Sequence, residues 1–201
     1  MDQLLPFLLF AFVASITPGP TNILVLTNSS RHGLSATAPI VLGACAGAAG
    51  LVLLVGTGVG DFLARHLVVQ SVMSWIGIAW LSWMAWQLFS APAQVIDPAL
   101  SSAQGPRLGL FGAASLQLVN PKTWMMALAV VSVFAGNDAD RSLKVVYLSL
   151  AFFLVAIPCM SAWAWLGVSA AKFCRSSQSM QRFNRSMAVL LLVSTWLTLV
   201  V

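Results

Sequence analysis

The residue best suited to chemistry is Lys122, which stands in the middle of an apolar run at residues 109–135. A cation at the centre of a membrane-spanning helix costs about 2.5–3.5 kcal/mol to insert, so such residues usually face a polar cavity. Gln117 and Asn120 precede it and, being three residues apart, share one helix face. We predict that Lys122 either holds the carboxylate of a ligand or releases a proton in a coupled step.

Prolines interrupt two of the apolar runs at similar depth. Pro18, Gly19 and Pro20 interrupt a run near the N-terminus, and Pro121 interrupts the run that contains Lys122. Proline has no N–H, and its ring clashes with the carbonyl four residues earlier, so each proline leaves such a carbonyl free. In hydrocarbon, irregular backbone persists only against protein or a water-filled cavity. We therefore predict a functional helix break at each motif.

Each break would offer backbone groups of opposite polarity. Proline is favourable at the first position of a helix, so a new helix can begin at Pro20, and its free N–H groups suit a carboxylate. The free carbonyls before the break suit an ammonium group. One break therefore offers complementary ends for a zwitterion. The predicted ligand-binding residues are Thr17, Gly19, Thr21, Asn22, Gln117, Asn120 and Lys122.

These features also have a purely structural interpretation. Membrane helices commonly contain kinking prolines without a ligand site, and the amide side chains could hydrogen-bond between helices, where such bonds contribute about 0.6–2 kcal/mol. The cysteine spacing matches no metal site. The sequence has no glutamate, and its histidines and aspartates lie outside the apolar runs, so we predict no catalytic residues and no metal.

The composition indicates what must position these groups. Of 201 residues, 59% are hydrophobic and 7% are charged, whereas an ordinary soluble domain is roughly a quarter charged. A soluble core of this size could not cover so much apolar surface, so lipid must solvate the rest. We predict a single-domain, all-α membrane protein. Apart from Lys122, its ten basic residues are spread over loops and suit anionic headgroups rather than nucleic acid.

The apolar runs predict six transmembrane helices, since a helix needs about 20 apolar residues to cross a bilayer. The runs are residues 4–27, 34–60, 67–91, 109–135, 145–169 and 186–201. Basic residues favour the connections after the first, third and fifth runs, which hold Arg31, Arg107, Lys172, Arg175, Arg182 and Arg185. The opposite connections hold Arg65, Arg141 and Lys144. Because basic loops stay in the cytoplasm, both termini are predicted to be periplasmic.

The chain divides into two halves of three runs each, at residues 1–91 and 108–201. Residues 92–107 are rich in proline and serine, which is typical of a linker. Residues 12–22 and 111–123 resemble each other weakly. Because each half has three runs, the second copy would enter the membrane from the opposite side and so be inverted relative to the first. Interrupted helices at matching positions of inverted repeats point to a transporter's midplane site. We predict two inverted three-helix repeats, with spans one and four broken near the midplane.

Two motifs resemble those of a known family. Thr-Pro-Gly-Pro-Thr-Asn at residues 17–22, followed by His32-Gly33, and Asn-Pro-Lys-Thr at residues 120–123 resemble the lysine exporter superfamily, in its homoserine/threonine resistance branch. The resemblance covers the whole chain and is greatest to the cysteine/O-acetylserine exporters. It implies export of amino acids or small derivatives across the bacterial inner membrane, by a proton-coupled secondary carrier without a cofactor.

The substrate and several roles stay open at this point. No acidic residue lies within a run, which favours a neutral substrate such as cysteine, O-acetylserine, homoserine or threonine over a basic amino acid. A channel and a non-transporting scaffold subunit are the alternatives. Asp61 and His66 could admit protons at a membrane edge. Gly-x-x-x-Gly spacings, from Gly43 and from Gly56, could pack helices within one protomer or between the protomers of a homo-oligomer.

Overall fold

The computed structural model describes residues 4–90, 108–136, 140–173 and 177–197, and every regular element within these ranges is helical. The helices are α1 (Leu4–Ile16), α2 (Pro20–Leu54), α3 (Gly60–Arg65), α4 (Leu67–Phe89), α5 (Leu110–Val119), α6 (Pro121–Phe134), α7 (Arg141–Phe173) and α8 (Ser177–Leu197). A π-helical turn, Val55–Val59, joins α2 to α3. The described part of the chain is all-α, as predicted, and the predicted linker lies outside it.

The chain leaves helical geometry at both proline motifs. α1 ends at Ile16 and α2 begins at Pro20, with Gly19 in an extended conformation before it (φ −163°, ψ 176°). α5 ends and α6 begins at Pro121, with Asn120 between them (φ −90°, ψ 106°). Each of these two prolines occupies the first turn of a new helix, where its missing N–H leaves no bond unmade. Both predicted breaks are present in the backbone.

α2 differs from the prediction of a loop between the first and second runs. Only Gly33 leaves helical geometry within it (φ 79°, ψ 178°), and the polar segment before Gly33 is helical. Glycine adopts a positive φ at little cost, so this residue alone can redirect the chain. The hydroxyls of Thr27, Ser29 and Ser30 donate to helix carbonyls three or four residues earlier, which satisfies them without a loop.

The last two helices are longer than predicted. α7 begins at Arg141 rather than at residue 145, and α8 begins at Ser177 rather than near residue 186. Hydropathy detects only the part of a helix that lipid would cover, and polar residues continue both helices beyond it. Gly136, with φ 65°, follows α6 in the left-handed conformation that often ends a helix.

The surface of the helices is strongly apolar. The stretches Pro20–Val59 and Arg141–Ala171 are long and apolar enough to cross a membrane, judged by length and composition, and α1, α5 and α6 are shorter apolar helices. Trp80, Trp83 and Trp86 are all exposed, together with many leucines and valines. Soluble monomers rarely expose so much contiguous apolar surface. This surface suits contact with lipid, and the tryptophan stripe belongs to it.

Close packing of α2 brings the two breaks together. α2 packs mainly along α7 and α5, and α4 pairs with α8. A Cβ atom on Gly47 would lie 2.6 Å from the carbonyl oxygen of Ala114, and Gly43 meets Leu110 of the same helix in the same way. The Gly43-x-x-x-Gly47 face therefore serves a contact within the chain, between α2 and α5.

Candidate functional site

The two helix breaks meet at a hydrogen bond between Lys122 and Thr17. Lys122 lies in the first turn of α6, and its Nζ donates to the main-chain carbonyl of Thr17 at 2.7 Å. Thr17 follows the last residue of α1, where the helix dipole gives the carbonyls a partial negative charge. The lysine therefore closes the C-terminal end of α1. The sequence predicts both residues as ligand-binding groups but not their contact with each other.

Gly19 makes room for this contact. A Cβ atom at Gly19 would lie 2.9 Å from both Cδ and Nζ of Lys122, well inside the favourable separation of about 3.5–4.0 Å for carbon atoms. The backbone of Gly19 is extended, which any residue can adopt. Glycine here therefore leaves space for the lysine side chain, and a larger residue would displace the lysine.

Two further side chains cap the end of α1. Asn22 donates from Nδ2 to the carbonyl of Ser15 at 2.8 Å. The indole Nε1 of Trp163, on α7, donates to the carbonyl of Ile16 at 3.1 Å. With Lys122, these donors occupy the negative pole that the sequence assigns to a ligand's ammonium group. Trp163 was not predicted, because only tertiary folding brings α7 to the break.

The N-terminal turn of α2 is less occupied than the end of α1. Gly19 has no side chain, and within the described residues no side chain caps this turn. At α6, in contrast, Oδ1 of Asn120 accepts a hydrogen bond from the main-chain N–H of Lys122 at 3.2 Å. Helix N–H groups carry the positive end of the dipole. Of the two helix starts, that of α2 is the more open to an anion.

A buried network of amides and hydroxyls joins the starts of α2 and α6. Nδ2 of Asn120 donates to Oγ1 of Thr21 at 3.0 Å, and Nε2 of Gln117 donates to the same hydroxyl at 3.3 Å. The hydroxyl of Thr123 donates to Oε1 of Gln117 at 2.8 Å. The structure thus brings three predicted residues together and adds Thr123, whose only sequence signal was its place in the Asn-Pro-Lys-Thr motif.

A small cavity, the inner cavity, lies beside this network. Its volume is about 30 Å³, and it is bounded by polar and apolar side chains that include Ser15, Thr21, Asn22, Cys45, Gln117, Asn120, Lys122, Thr123 and Met160. The hydroxyl of Ser15 is buried there and has no hydrogen-bond partner in the described structure. This volume holds about one or two water molecules. The chain must therefore open before an amino acid could enter.

A larger cavity, the entrance cavity, lies between α2, α4 and α8. It has a volume of about 240 Å³ and is lined by Ile23, Leu24, Thr27, Asn28, Arg31, His32, Met84, Gln87, Leu88 and Leu191. Along α2, this cavity extends from Ile23, two residues after Thr21, to His32, the residue before the kink at Gly33. The sequence did not indicate this cavity, because polar residues close to an expected loop carry no distinctive pattern.

The remaining candidates are the predicted proton-access residues and the cysteines. His66 is exposed, and its ring stacks on Phe62 at 4.2 Å. The side chain of Asp61 lies outside the described structure, so the proposed proton access at these residues stays a prediction. Cys45 and Cys159 are buried free thiols, and Cys45 lies on the wall of the inner cavity. Among the described residues, no group of histidine, cysteine or acidic side chains could hold a metal ion.

Helices with an apolar surface and two helix breaks beside a buried polar site are typical of membrane carriers. The family model described as LysE type translocator matches residues 12–199, and the chain belongs to this family. The resemblance found in the two motifs is confirmed. The protein is accordingly a membrane translocator and not an enzyme.

Several curated proteins are similar over most of the chain. The homoserine/homoserine lactone efflux protein of Salmonella typhi is 24% identical over 187 residues, covering 93% of this chain and 91% of its own. The cysteine/O-acetylserine efflux protein of Salmonella choleraesuis (strain SC-B67) is 28% identical over 168 residues, covering 81% and 83%. An uncharacterized membrane protein of Vibrio cholerae is 25% identical over 181 residues, covering 90% and 88%. No solved structure matches the chain.

Proposed function

We propose that this protein is a secondary active exporter, which moves amino acids or small amino-acid derivatives out of the bacterial cytoplasm across the inner membrane. The observation that carries the proposal is the contact of Lys122 with the Thr17 carbonyl across two helix breaks, in a chain of a translocator family. One cation, an open helix start and a group of helix-end carbonyls together match a zwitterion. The efflux proteins among its relatives support the same substrate class.

Binding of a zwitterion would change the hydrogen-bond partners of Lys122 and of the Thr17 carbonyl. In the closed structure, Lys122 donates to the Thr17 carbonyl. An incoming carboxylate draws the ammonium of Lys122 away, because a hydrogen bond to an anion is stronger than one to a neutral carbonyl. The Thr17 carbonyl then accepts from the ammonium of the substrate, and the N–H groups at Thr21 and Asn22 help to hold its carboxylate. Each charged group therefore keeps a partner throughout.

The lining of the site favours a neutral substrate. No acidic residue is among the described residues that bound either cavity, so a second cation on the substrate would be buried without a partner. A hydroxyl or thiol on the substrate would instead meet the unpaired hydroxyl of Ser15. We therefore place cysteine, O-acetylserine, homoserine and threonine before lysine, and an exporter of basic amino acids is the second candidate.

The proposed architecture has six transmembrane helices in two inverted repeats around the site, with the breaks near the midplane. The matched positions of the breaks support it, and so does the pairing of equivalent helices, α2 with α7 and α4 with α8. Rocking of one half against the other would give alternating access. The bias of basic residues supports an orientation with both termini in the periplasm and the Arg31 end of the entrance cavity towards the cytoplasm.

We also propose that transport is coupled to protons at Lys122 and needs no cofactor. Among the residues that bound the inner cavity, Lys122 is the charged one. The hydrogen-bond partner of Lys122 changes in each transport cycle. Release of its proton can therefore be coupled to opening of the site towards one side of the membrane. An imposed proton gradient should then accelerate export in vesicles. Export that ignores the gradient would contradict this part of the proposal.

Export assays test the function directly. Cells with and without the protein are loaded with cysteine, O-acetylserine, homoserine, threonine or lysine, and release is measured over time. We expect faster, saturable release of at least one neutral amino acid and little change for lysine. Equal release of all five by both strains would contradict export, and conductance without saturation in a planar bilayer would indicate a channel.

A further inference from the structure

Arg31 lines the entrance cavity with a guanidinium of which one buried nitrogen has no hydrogen-bond partner among the described residues. It lies on α2, two residues before the kink at Gly33, and is half-buried. Its Nη2 atom is fully buried and has no hydrogen-bond partner in the part of the chain that the structure describes. A buried donor that has lost its water is unfavourable until an acceptor replaces it. The guanidinium therefore suits an anionic ligand.

The other walls of the cavity fit a small zwitterion rather than an inorganic anion. Nδ2 of Asn28 donates to Oγ1 of Thr37 at 2.8 Å, which leaves the amide oxygen of Asn28 as an acceptor for an ammonium group. Apolar side chains, including Met84 and Leu191, form much of the remaining surface. No acidic side chain is among the described lining residues to compete for Arg31.

The size of the entrance cavity also fits an amino acid. At about 240 Å³ it has room for an amino acid, whereas the inner cavity of about 30 Å³ is closed to one. Arg31 lies nine residues after Asn22 on α2, a distance of about 14 Å along a helix that rises 1.5 Å per residue. The two cavities are therefore separate places on the same helix.

We propose that the entrance cavity is a second amino-acid binding site, in which Arg31 holds the carboxylate before the substrate reaches Lys122. The proposal rests on the export function above and adds a site on the cytoplasmic side. The planar guanidinium can donate two parallel hydrogen bonds to the carboxylate. The amide oxygen of Asn28 accepts from the ammonium, and the apolar wall covers the side chain.

Equilibrium binding of radiolabelled homoserine to the purified full-length protein separates the two sites. Lys122→Gln disables the inner site, and this variant is expected to retain binding. Adding Arg31→Gln to it should weaken the remaining binding at least about tenfold, because a hydrogen bond to a carboxylate is lost. Arg31→Lys, which keeps the charge without the planar donors, should fall between. An excess of 3-aminopropan-1-ol, which is homoserine without its carboxylate, should not displace the label.

Transport kinetics test the side of the membrane at which Arg31 acts. In inside-out vesicles, which present the cytoplasmic face outwards, Arg31→Gln alone should raise the KM for homoserine at least about tenfold and leave the maximal rate unchanged. In right-side-out vesicles the KM should stay the same. Arg65→Gln removes an exposed positive charge that is not among the lining residues of the cavity and is the matched control. Melting curves in detergent should show that Arg31→Gln folds, since it removes an unpaired buried donor.

The outcomes distinguish this inference from the export proposal. If the wild-type protein neither binds nor transports any amino acid of the panel, the export function fails and this inference fails with it. If the wild-type protein transports homoserine but Arg31→Gln behaves like Arg65→Gln at both faces, the second site alone is overturned. The same conclusion follows if the double variant binds homoserine as tightly as Lys122→Gln does.

Discussion

The ammonium of Lys122 donates a 2.7 Å hydrogen bond to the main-chain carbonyl of Thr17, a residue 105 positions earlier in the sequence. This bond ties the start of α6 to the end of α1 and so joins the two helix breaks. The ammonium has three N–H donors, and the Thr17 carbonyl accepts from one of them. A carboxylate that binds Lys122 would therefore meet a lysine already held by the end of α1, so binding that moves the ammonium would also change the break.

Lys122→Gln is expected to lower the export rate at least about 100-fold, since roughly 3 kcal/mol of interaction with a buried carboxylate is lost. Glutamine can still donate a hydrogen bond towards Thr17, so insertion and folding should be retained. Uptake into proteoliposomes measures the rate, with the exposed Arg182→Gln as the control for a lost charge. Normal transport by Lys122→Gln would remove this lysine from the mechanism.

Gly19→Ala should impair transport at least about tenfold without unfolding the protein, because its methyl group would lie 2.9 Å from the lysine side chain and displace it. The extended backbone at Gly19 accepts alanine without strain. Gly109→Ala is the matched control, since Gly109 also precedes a helix in an extended conformation and has nothing within 4 Å of the added carbon. Similar transport by the two variants would show that the position of Lys122 is not critical.

Trp163→Phe should lower the free energy of unfolding by about 1–2 kcal/mol, because the partly buried carbonyl of Ile16 loses its indole donor. Trp165 lies two residues further along the same helix and is 63% exposed. Trp165→Phe should therefore change the free energy of unfolding by less than about 0.5 kcal/mol. Unfolding in detergent micelles followed by circular dichroism measures both. Equal effects would mean that the cap on α1 contributes nothing beyond ring burial.

Gln117 and Thr123 should be energetically coupled. In a double-mutant cycle with Gln117→Leu and Thr123→Val, we expect a coupling energy of about 0.5–3 kcal/mol, because the 2.8 Å bond between them is buried. Thr57→Val, at an exposed threonine outside both cavities, provides the comparison and should be additive with Gln117→Leu. Additivity in both cycles would show that the network at the helix starts is not cooperative.

The helix breaks and most of the site could be predicted from the sequence because their residue types are rare in lipid. A lysine within an apolar run and prolines such as Pro20 and Pro121 stand out against a uniform background, and each has a definite effect on backbone hydrogen bonds. The binding role of these residues stays a prediction. Their juxtaposition is observed, since Thr21 and Asn120 are 3.0 Å apart between hydroxyl and amide.

The parts that were not predicted depend on tertiary structure or on hydrogen bonds within a helix. Trp163 is one of eight tryptophans, and nothing local distinguishes it from those that face lipid. The helix continues through Ser29 and Ser30 because their hydroxyls bond back to it, which a hydropathy pattern does not detect. The bond from Lys122 to Thr17 required the packing of α1 against α6, so the sequence could indicate both residues and not their contact.

Opening of the inner cavity can be followed at Cys45, which is 1% exposed and lies on the wall of that cavity. Homoserine, one of the proposed substrates, cannot fit in about 30 Å³, so its transport through this cavity would expose the region to water in part of the cycle. In a protein with Cys159→Ser and Cys174→Ser, a small charged methanethiosulfonate reagent should modify Cys45 slowly without substrate. Homoserine near its KM should accelerate modification about tenfold by shifting the population of open states.

Two variants are the controls for this labelling experiment. Adding Lys122→Gln should remove the acceleration, because the substrate then has no cation to draw it into the inner cavity, while the slow basal rate should persist. Adding Cys45→Ser removes the remaining thiol and gives the background labelling rate. If homoserine is transported by the cysteine-reduced protein and yet leaves the labelling rate of Cys45 unchanged, the substrate does not pass through the inner cavity, and the contact between Lys122 and Thr17 is a structural clamp rather than part of the transport path.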